Sequence, residues 1–357
     1  MTAPTAPATM DDVAALAGVS TSTVSRALRD SPRISSATRD RVHRAAAELD
    51  FALSRTASAL ASGRLGRIGV LVSGPLSTWF NSSVLEAVYA ALRAAGQELV
   101  IYRIRDAAER TEFFARLPAR RNVDALVVAS FALTAAECAR LAELSVPLVY
   151  LNQQVPGSAS VFIDDAEAVA GGTRHLLNLG HRRIAYVTTR NLDGFSFSAS
   201  SRYAGVRRAA AQHTAARPND PVPEPVMIMV EALGGGPDVG QLAVGQLLSG
   251  RQLPTALVAE SDEIAMSLRP ALHRAGLRVP DDISVLGFDD NALAPLFDLT
   301  TVAQPVAELG RRAAEAALAL SDAEPDELAE PHQTLPTHLV LRGSTTVPRP
   351  DQPGSLG

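Results

Sequence analysis

Val19-Ser-Thr-Ser-Thr-Val-Ser-Arg-Ala-Leu28, read with the ten residues before it, decides how the N-terminus folds. Thr9 can cap a helix, with Asp12 three residues on reaching back to it in a capping box. Val13 and Leu16 give that helix one apolar stripe. Ala17-Gly18-Val19 breaks the pattern, and Gly18 enters a tight turn without steric cost. Ser20 can cap a second helix, in which Val24, Ala27 and Leu28 face inward while Thr21, Ser22, Ser25 and Arg26 stay outside. Two short helices joined by a glycine-containing turn make a helix-turn-helix, whose second helix enters the major groove of DNA. Short hydroxyls suit phosphates and base edges, and one arginine can fork onto a guanine. The same pattern also describes an ordinary helical hairpin with polar outer faces. A third helix favours the DNA reader: Ser35 can cap it, and it runs through Val42, Ala46 and Leu49 to about Asp50. The three helices are expected to share a core of Val13, Leu16, Val19, Val24, Leu28, Val42, Ala46 and Leu49, which is small for a free-standing domain.

This segment resembles the LacI/GalR family of bacterial transcription regulators. The resemblance is carried by Met10-Asp-Asp-Val-Ala-Ala-Leu-Ala-Gly-Val-Ser20, Thr23-Val-Ser-Arg-Ala-Leu28 and Ser31-Pro-Arg-Ile-Ser35. It implies that Thr21, Ser22 and Arg26 read base edges while Ser20, Thr23 and Ser25 anchor phosphates. A homodimer would then require double-stranded DNA with a pseudo-palindromic operator. Phe51-Ala-Leu-Ser-Arg-Thr-Ala-Ser-Ala-Leu-Ala-Ser-Gly63 matches the family's hinge helix, which orders on DNA. At Leu60 the family wedges a leucine into the minor groove and kinks the operator. Leu53, Ser54 and Ser58 stand where members commonly have proline, asparagine and arginine, so the hinge contacts are expected to differ here.

The totals agree with a reader attached to a larger body. At 357 residues the chain should hold more than one domain, and 46% hydrophobic with 20% charged residues describes a globular protein. Cys138 is the one cysteine, which leaves no internal disulfide and fits a reducing compartment; a small buried apolar role suits it. The first ten residues carry no basic start and no apolar run, and no apolar stretch approaches bilayer length. A cytoplasmic location without membrane contact is therefore expected. All 33 basic residues are arginine, a composition that speaks of the genome before it speaks of function. The net charge of −5 divides unevenly: residues 1–65 hold eight arginines against six carboxylates, and the remainder is acidic. A mildly basic head on an acidic body suits DNA binding through placed contacts.

From Arg67 the pattern becomes strands alternating with helices. Segments 68–72, 98–102, 125–128, 148–151, 183–187, 256–259 and 283–287 read as short buried strands. Helices are expected at 84–95, 135–143, 166–179, 200–213, 239–248, 263–275 and 306–320. Such alternation argues for parallel sheets covered by helices on both faces. Gly66-Arg-Ile-Gly-Val-Leu-Val72 recurs approximately as His181-Arg-Arg-Ile-Ala-Tyr-Val187, suggesting two similar lobes with a crevice where strand ends meet. The family resemblance implies a periplasmic-binding-protein-like α/β core of two parallel-sheet lobes behind the all-α head. The expected division is 1–8 disordered, 9–53 the helix-turn-helix domain, 54–65 hinge helix and linker, 66–342 effector-binding and dimerisation core, and 343–357 a flexible tail. Lobe one is expected to take about 66–162 and 293–325, and lobe two about 163–292 and 326–342. The tail shows no leucine heptads of the kind that build a coiled-coil tetramer.

In the crevice the resemblance implies a small-molecule effector, a sugar or related metabolite. Trp79 and Phe80 follow the first strand, where aromatics can stack on a ligand or pack the helix start. Asn152 follows the fourth strand at a position that often contacts effector, and Asp164 can cap the next helix. Arg202, in Ser201-Arg-Tyr-Ala-Gly205, matches the family's effector-gripping arginine, a planar fork for hydroxyls or a carboxylate. Asp262 sits in Ser261-Asp262, where members commonly show Asn-Asp. Asp289, in Val285-Leu-Gly-Phe-Asp-Asp290, matches the aspartate that accepts hydrogen bonds from ligand hydroxyls, and Gln304 lies on the returning segment. The loop Ala232-Leu-Gly-Gly-Gly-Pro237 lacks the aromatic that some sugar-binding members present, which leaves the ligand class open.

No GxSxG elbow, P-loop, dinucleotide fingerprint or histidine pair at metal spacing occurs, so neither catalysis nor a cofactor or metal is expected. Asp164-Asp165, Asp281-Asp282 and Asp289-Asp290 are sequence neighbours that solvation or capping explains. The other reading of the core is a solute-binding protein, which would carry a secretion signal and no DNA-binding head. The expected function is a DNA-binding transcriptional regulator, a repressor in most of the family, switched by a small polar metabolite.

Overall fold

The computed structural model describes residues 8–28, 31, 33–51, 64–130, 132–155, 157–190, 198–231, 237–322 and 332–349. It divides into two compact units, one up to Gly66 and one from Arg67 onward. Leu60, together with Leu53, Ser54 and Ser58 of the expected hinge, lies outside the described residues, as do 1–7 and most of the 232–237 loop. Among the described residues, no helix is long and apolar enough to cross a membrane.

The first unit contains three helices among its described residues: α1 (Met10–Ala17), α2 (Thr21–Ala27) and α3 (Ser36–Glu48). The expected caps are all in place. Thr9 and Asp12 form the capping box, while Ser20 and Ser35 accept the backbone N–H of Thr23 and Thr38. Gly18 closes α1 at φ 65°, a left-handed conformation that costs a glycine little. The core is Val13, Ala14, Ala17, Val24, Ala27, Val42, Ala45 and Ala46, with Met10, Val19, Leu28, Ile34, Leu49 and Phe51 packed around it. Leu16 departs from expectation and is 47% exposed. The buried stripe of α1 runs through positions 10, 13, 14 and 17, and residue 16 lies about 100° away from it around the helix.

In the second unit two six-stranded sheets repeat one order. Lobe one contains β1 (Arg67–Ser73), β2 (Glu98–Ile104), β3 (Ala125–Ala129), β4 (Leu148–Leu151), β5 (Ala159–Phe162) and β11 (His332–Thr334), in the order β2-β1-β3-β4-β5-β11. Lobe two contains β6 (Ile184–Arg190), β7 (Val226–Glu231), β8 (Ala256–Ala259), β9 (Ser284–Asp289), β10 (Thr300–Ala303) and β12 (His338–Val340), in the order β7-β6-β8-β9-β10-β12. All of these pairings are parallel except β10 with β12. The two recurrent sequences thus form the corresponding strands β1 and β6. Strands β3, β8 and β9 are buried along their whole length, as expected of sheets with helices on both faces.

The helices of this unit are α4 (Trp79–Ala94), α5 (Ala107–Arg116), α6 (Ala135–Ala142), α7 (Asp165–Asn178), α8 (Ser198–Ala216), α9 (Pro237–Leu248), α10 (Asp262–Arg274) and α11 (Val306–Asp322). Helix α5 and strands β5, β7, β10, β11 and β12 are additional to the expected elements. The three crossings between lobes also differ from expectation in two places. The chain leaves lobe one after Phe162 as expected, but returns after Ala303, not near 292, because β10 is bonded to β9. It crosses back after Thr334, not near 325, because α11 packs on α4 and β11 pairs with β5 in lobe one. The expected tail is likewise structured up to Arg349. Ser344 is buried, donates to the Val285 carbonyl and accepts the Thr300 N–H. His181 binds the Thr346 carbonyl through Nε2, and Arg349 pairs with Asp282.

Candidate functional site

In the head, the outer face of α2 is open. Thr21, Ser22 and Arg26 are exposed, and Arg26 lies one turn beyond Ser22 on the same face. The Arg26 side chain makes no hydrogen bond or ion pair with the described residues. Ser20 accepts the Thr23 N–H at 3.3 Å and sits 2.9 Å from the hydroxyls of both Ser22 and Thr23, so it serves the helix start. Thr23 and Ser25 are half-buried at the edge of the face. Arg39 of α3 donates to the carbonyls of Ser31 and Ile34 and so fixes the turn between the second and third helices.

In the body, the strand order reverses beside β1 in lobe one, which lies between β2 and β3, and beside β6 in lobe two, which lies between β7 and β8. A crevice forms outside the carboxyl ends of strands at such switch points. Around it the side chains form a continuous chain. Arg202, 5% exposed, donates from Nε to Asp165 Oδ1 at 2.7 Å and from one amino group to the Glu260 carbonyl at 2.6 Å. Its guanidinium lies 3.6 Å over the Phe288 ring and 4.0 Å from Asp289 Oδ1. That same Asp289 oxygen accepts from Gln304 Nε2 at 2.6 Å, directly on the second crossing. One turn before Arg202, Ser198 accepts from Asn152 Nδ2 at 3.3 Å across the lobes.

Local sequence seats these groups. Gly205 lets α8 lie against α7, since a methyl there would overlap the Ala166 carbonyl oxygen; the close approach brings Arg202 to Asp165. Asn152 at φ 59° and Asp289 at φ 122° hold backbone conformations that side chains rarely adopt, the kind of strain that gathers at functional sites. Burial works against the charge on Arg202, but Asp165 and Asp289 outweigh it and hold the guanidinium above its ordinary pKa. Burial drives Asp289 well upward, opposed by Arg202, and raises Asp165 against the same pull.

Where the chain crosses between the lobes lies a cavity of about 470 Å³, lined by Asn152, Gln153, Phe162, Asp165, Ser201 and His332; Arg202, Asp289 and Gln304 border the site without lining this cavity. Its size is that of small-ligand sites. Three buried polar atoms of the site have no partner among the described residues: Asn152 Oδ1, Gln153 Nε2 and Gln304 Oε1. Buried polar groups are seldom left so.

The structure therefore brings Asn152, Arg202, Asp289 and Gln304 together. Asp262 departs from expectation as a ligand-touching group. It is fully buried, with Oδ1 taken by the Thr301 hydroxyl at 2.6 Å and Oδ2 by the Asn291 N–H at 2.7 Å. It ties α10 to the segment carrying Asp289 because, as the first residue of α10, it is turned into the lobe; burial lifts its pKa to about 7. Trp79 and Phe80 are half-buried and pack against the lobe-one core at the start of α4. Asp164 caps α7, in line with its sequence position. Asp165, Phe288, Ser198 and Gln153 join the candidate site although the sequence motifs do not single them out. The doublet Asp164-Asp165 held the one readable signal, since capping by the first carboxylate turns the second inward.

Residues 9–53 match the model of bacterial regulatory proteins of the lacI family, and residues 173–345 match a periplasmic binding protein-like domain. The chain is 32% identical to the HTH-type transcriptional regulator GalR of Escherichia coli over 348 residues, covering 96% of each. A crystal structure of the Lac repressor dimer bound to operator and the anti-inducer ONPF superposes with a TM-score of 0.82 at 28% identity, covering 96% of this chain and 100% of that one. The transcriptional regulator CelR–cellobiose complex gives 0.66 at 29% identity, covering 94% and 99%.

Proposed function

The chain belongs to the lacI family of bacterial regulatory proteins and is a DNA-binding transcriptional regulator, and from that premise we propose how its residues divide the work. Thr21, Ser22 and Arg26 read base edges from the open face of α2, while Ser20, Thr23 and Ser25 hold the helix start against phosphates. Leu60 is the minor-groove wedge. The protein acts as a homodimer on a pseudo-palindromic operator and represses, in keeping with the Lac repressor dimer seen bound to its operator.

A small polar metabolite of sugar-like chemistry binds between the lobes, held by Asn152, Arg202, Asp289 and Gln304; cellobiose bound to CelR is a precedent in a related core. The observation that carries this is the buried chain Asp165–Arg202–Asp289–Gln304 beside three unpaired polar atoms. Asp262 supports Asp289 without touching the ligand. Binding changes the angle between lobes and thereby the operator affinity, which requires that the ligand prefer one lobe geometry. The head over residues 9–53 sets the solute-binding alternative aside. The test is Asp289→Ala in the full-length protein. It should abolish ligand-dependent change in operator affinity and leave ligand-free operator binding intact; an unchanged ligand response would refute the assignment, and loss of operator binding as well would mark a folding defect, which thermal melting identifies.

A further inference from the structure

The charges around the crevice define the class of compound it takes, an inference that rests on the crevice being the effector site. Among the described residues of the site, Arg202 is the one guanidinium, and it already faces Asp165 at 2.7 Å and Asp289 at 4.0 Å. Glu260 adds a carboxylate that accepts from the Thr188 hydroxyl and the Thr189 N–H. Glu263 adds another, and its placement is informative. Helix α4 starts in lobe one without a side-chain cap from Thr78. The backbone N–H of Trp79 instead donates across the crevice to Glu263 Oε1 of lobe two at 3.3 Å. Free N–H groups at a helix start are where phosphates readily bind. Here the protein's own carboxylate fills that place.

On the other side, the unpaired groups are neutral amides: Asn152 Oδ1 and Gln304 Oε1 accept, and Gln153 Nε2 donates. Their side chains are 2%, 6% and 4% exposed. A hydroxyl both donates and accepts, so a polyhydroxyl compound satisfies all three, whereas a phosphate can only accept at most of its oxygens. We infer that phosphate esters of the sugar-like effector are excluded, and that Glu263 is the residue enforcing the exclusion. Two like charges about 6 Å apart in an environment of effective dielectric about 20 disfavour binding by roughly a hundredfold.

The test uses full-length protein on its operator, with operator affinity and thermal midpoint read against glucose, galactose and ribose beside glucose 6-phosphate, galactose 1-phosphate and ribose 5-phosphate. Glu263→Gln keeps an acceptor for the Trp79 N–H and removes the charge. The expected result is a response to at least one neutral sugar, at least about tenfold weaker for its ester, with that discrimination narrowed about tenfold or more in Glu263→Gln. Esters acting as strongly as their parents would overturn the exclusion while leaving the effector site standing. Equal discrimination in both proteins would overturn the role of Glu263. No response to either set would remove the sugar-like effector reading itself, and this inference with it.

Discussion

Arg26 is the cleanest place to perturb DNA reading, because its removal breaks no hydrogen bond or ion pair among the described residues. The side chain is exposed in the last turn of α2 and makes no hydrogen bond or ion pair with the described residues, so Arg26→Ala should leave the melting midpoint unchanged. An arginine forked onto a guanine discriminates by about 1–3 kcal/mol, and a dimer presents the contact twice. The loss on a specific duplex should therefore be about 2–6 kcal/mol, or roughly thirtyfold to more than ten-thousandfold. On scrambled duplex of the same length the loss should be far smaller. Fluorescence anisotropy titrations of both duplexes at two salt concentrations separate the cases, with thermal melting as a check that the midpoint is unchanged. Equal losses on both duplexes, accompanied by a shallower salt dependence, would mean that Arg26 touches phosphate, and the base-reading role would be wrong.

The body carries two further tests. Gly205→Ala should force α8 from α7, destabilising the protein by about 1–3 kcal/mol and blunting the effector response together; a normal melting midpoint would show that the helices tolerate the methyl. Asp262, lifted to about 7 by burial, holds a proton in the folded state that the unfolded chain releases near pH 4, so this group favours folding at low pH and its contribution is lost as pH rises toward 7. The slope is up to about 1.4 kcal/mol per pH unit. Asp262→Asn, which can still serve Thr301 and the Asn291 N–H, should flatten that decline in denaturant titrations at pH 5 and 7.5, and parallel wild-type and variant curves would contradict it.

What could be read in advance was local. Thr9 with Asp12, Ser20 with Thr23 and Ser35 with Thr38 are spaced three residues apart, so one turn of helix fixes each contact whatever the rest of the chain does. The parallel sheets followed from apolar runs such as Ala125–Ala129, buried on both faces. The lobe crossings are not legible in the sequence because β10, β11 and β12, which set them, span only three or four residues. Motifs single out Arg202 and Asp289 but say nothing of their surroundings. Asp165 precedes Arg202 by 37 residues and Phe288 follows it by many more, so only helix packing and strand order bring them together. Asp262 shows the converse, a residue at an expected position whose carboxylate turns out to be consumed by Thr301 and Asn291.

Selection of bound duplexes from a random DNA pool, with the full-length protein and no added ligand, addresses the central claim directly. A homodimer reading with two copies of α2 predicts enrichment of a pseudo-palindrome whose half-site centres lie about one helical turn, or a multiple of it, apart. Recovery of unselected sequence, with or without a panel of metabolites, would contradict the assignment of Thr21, Ser22 and Arg26 as base readers.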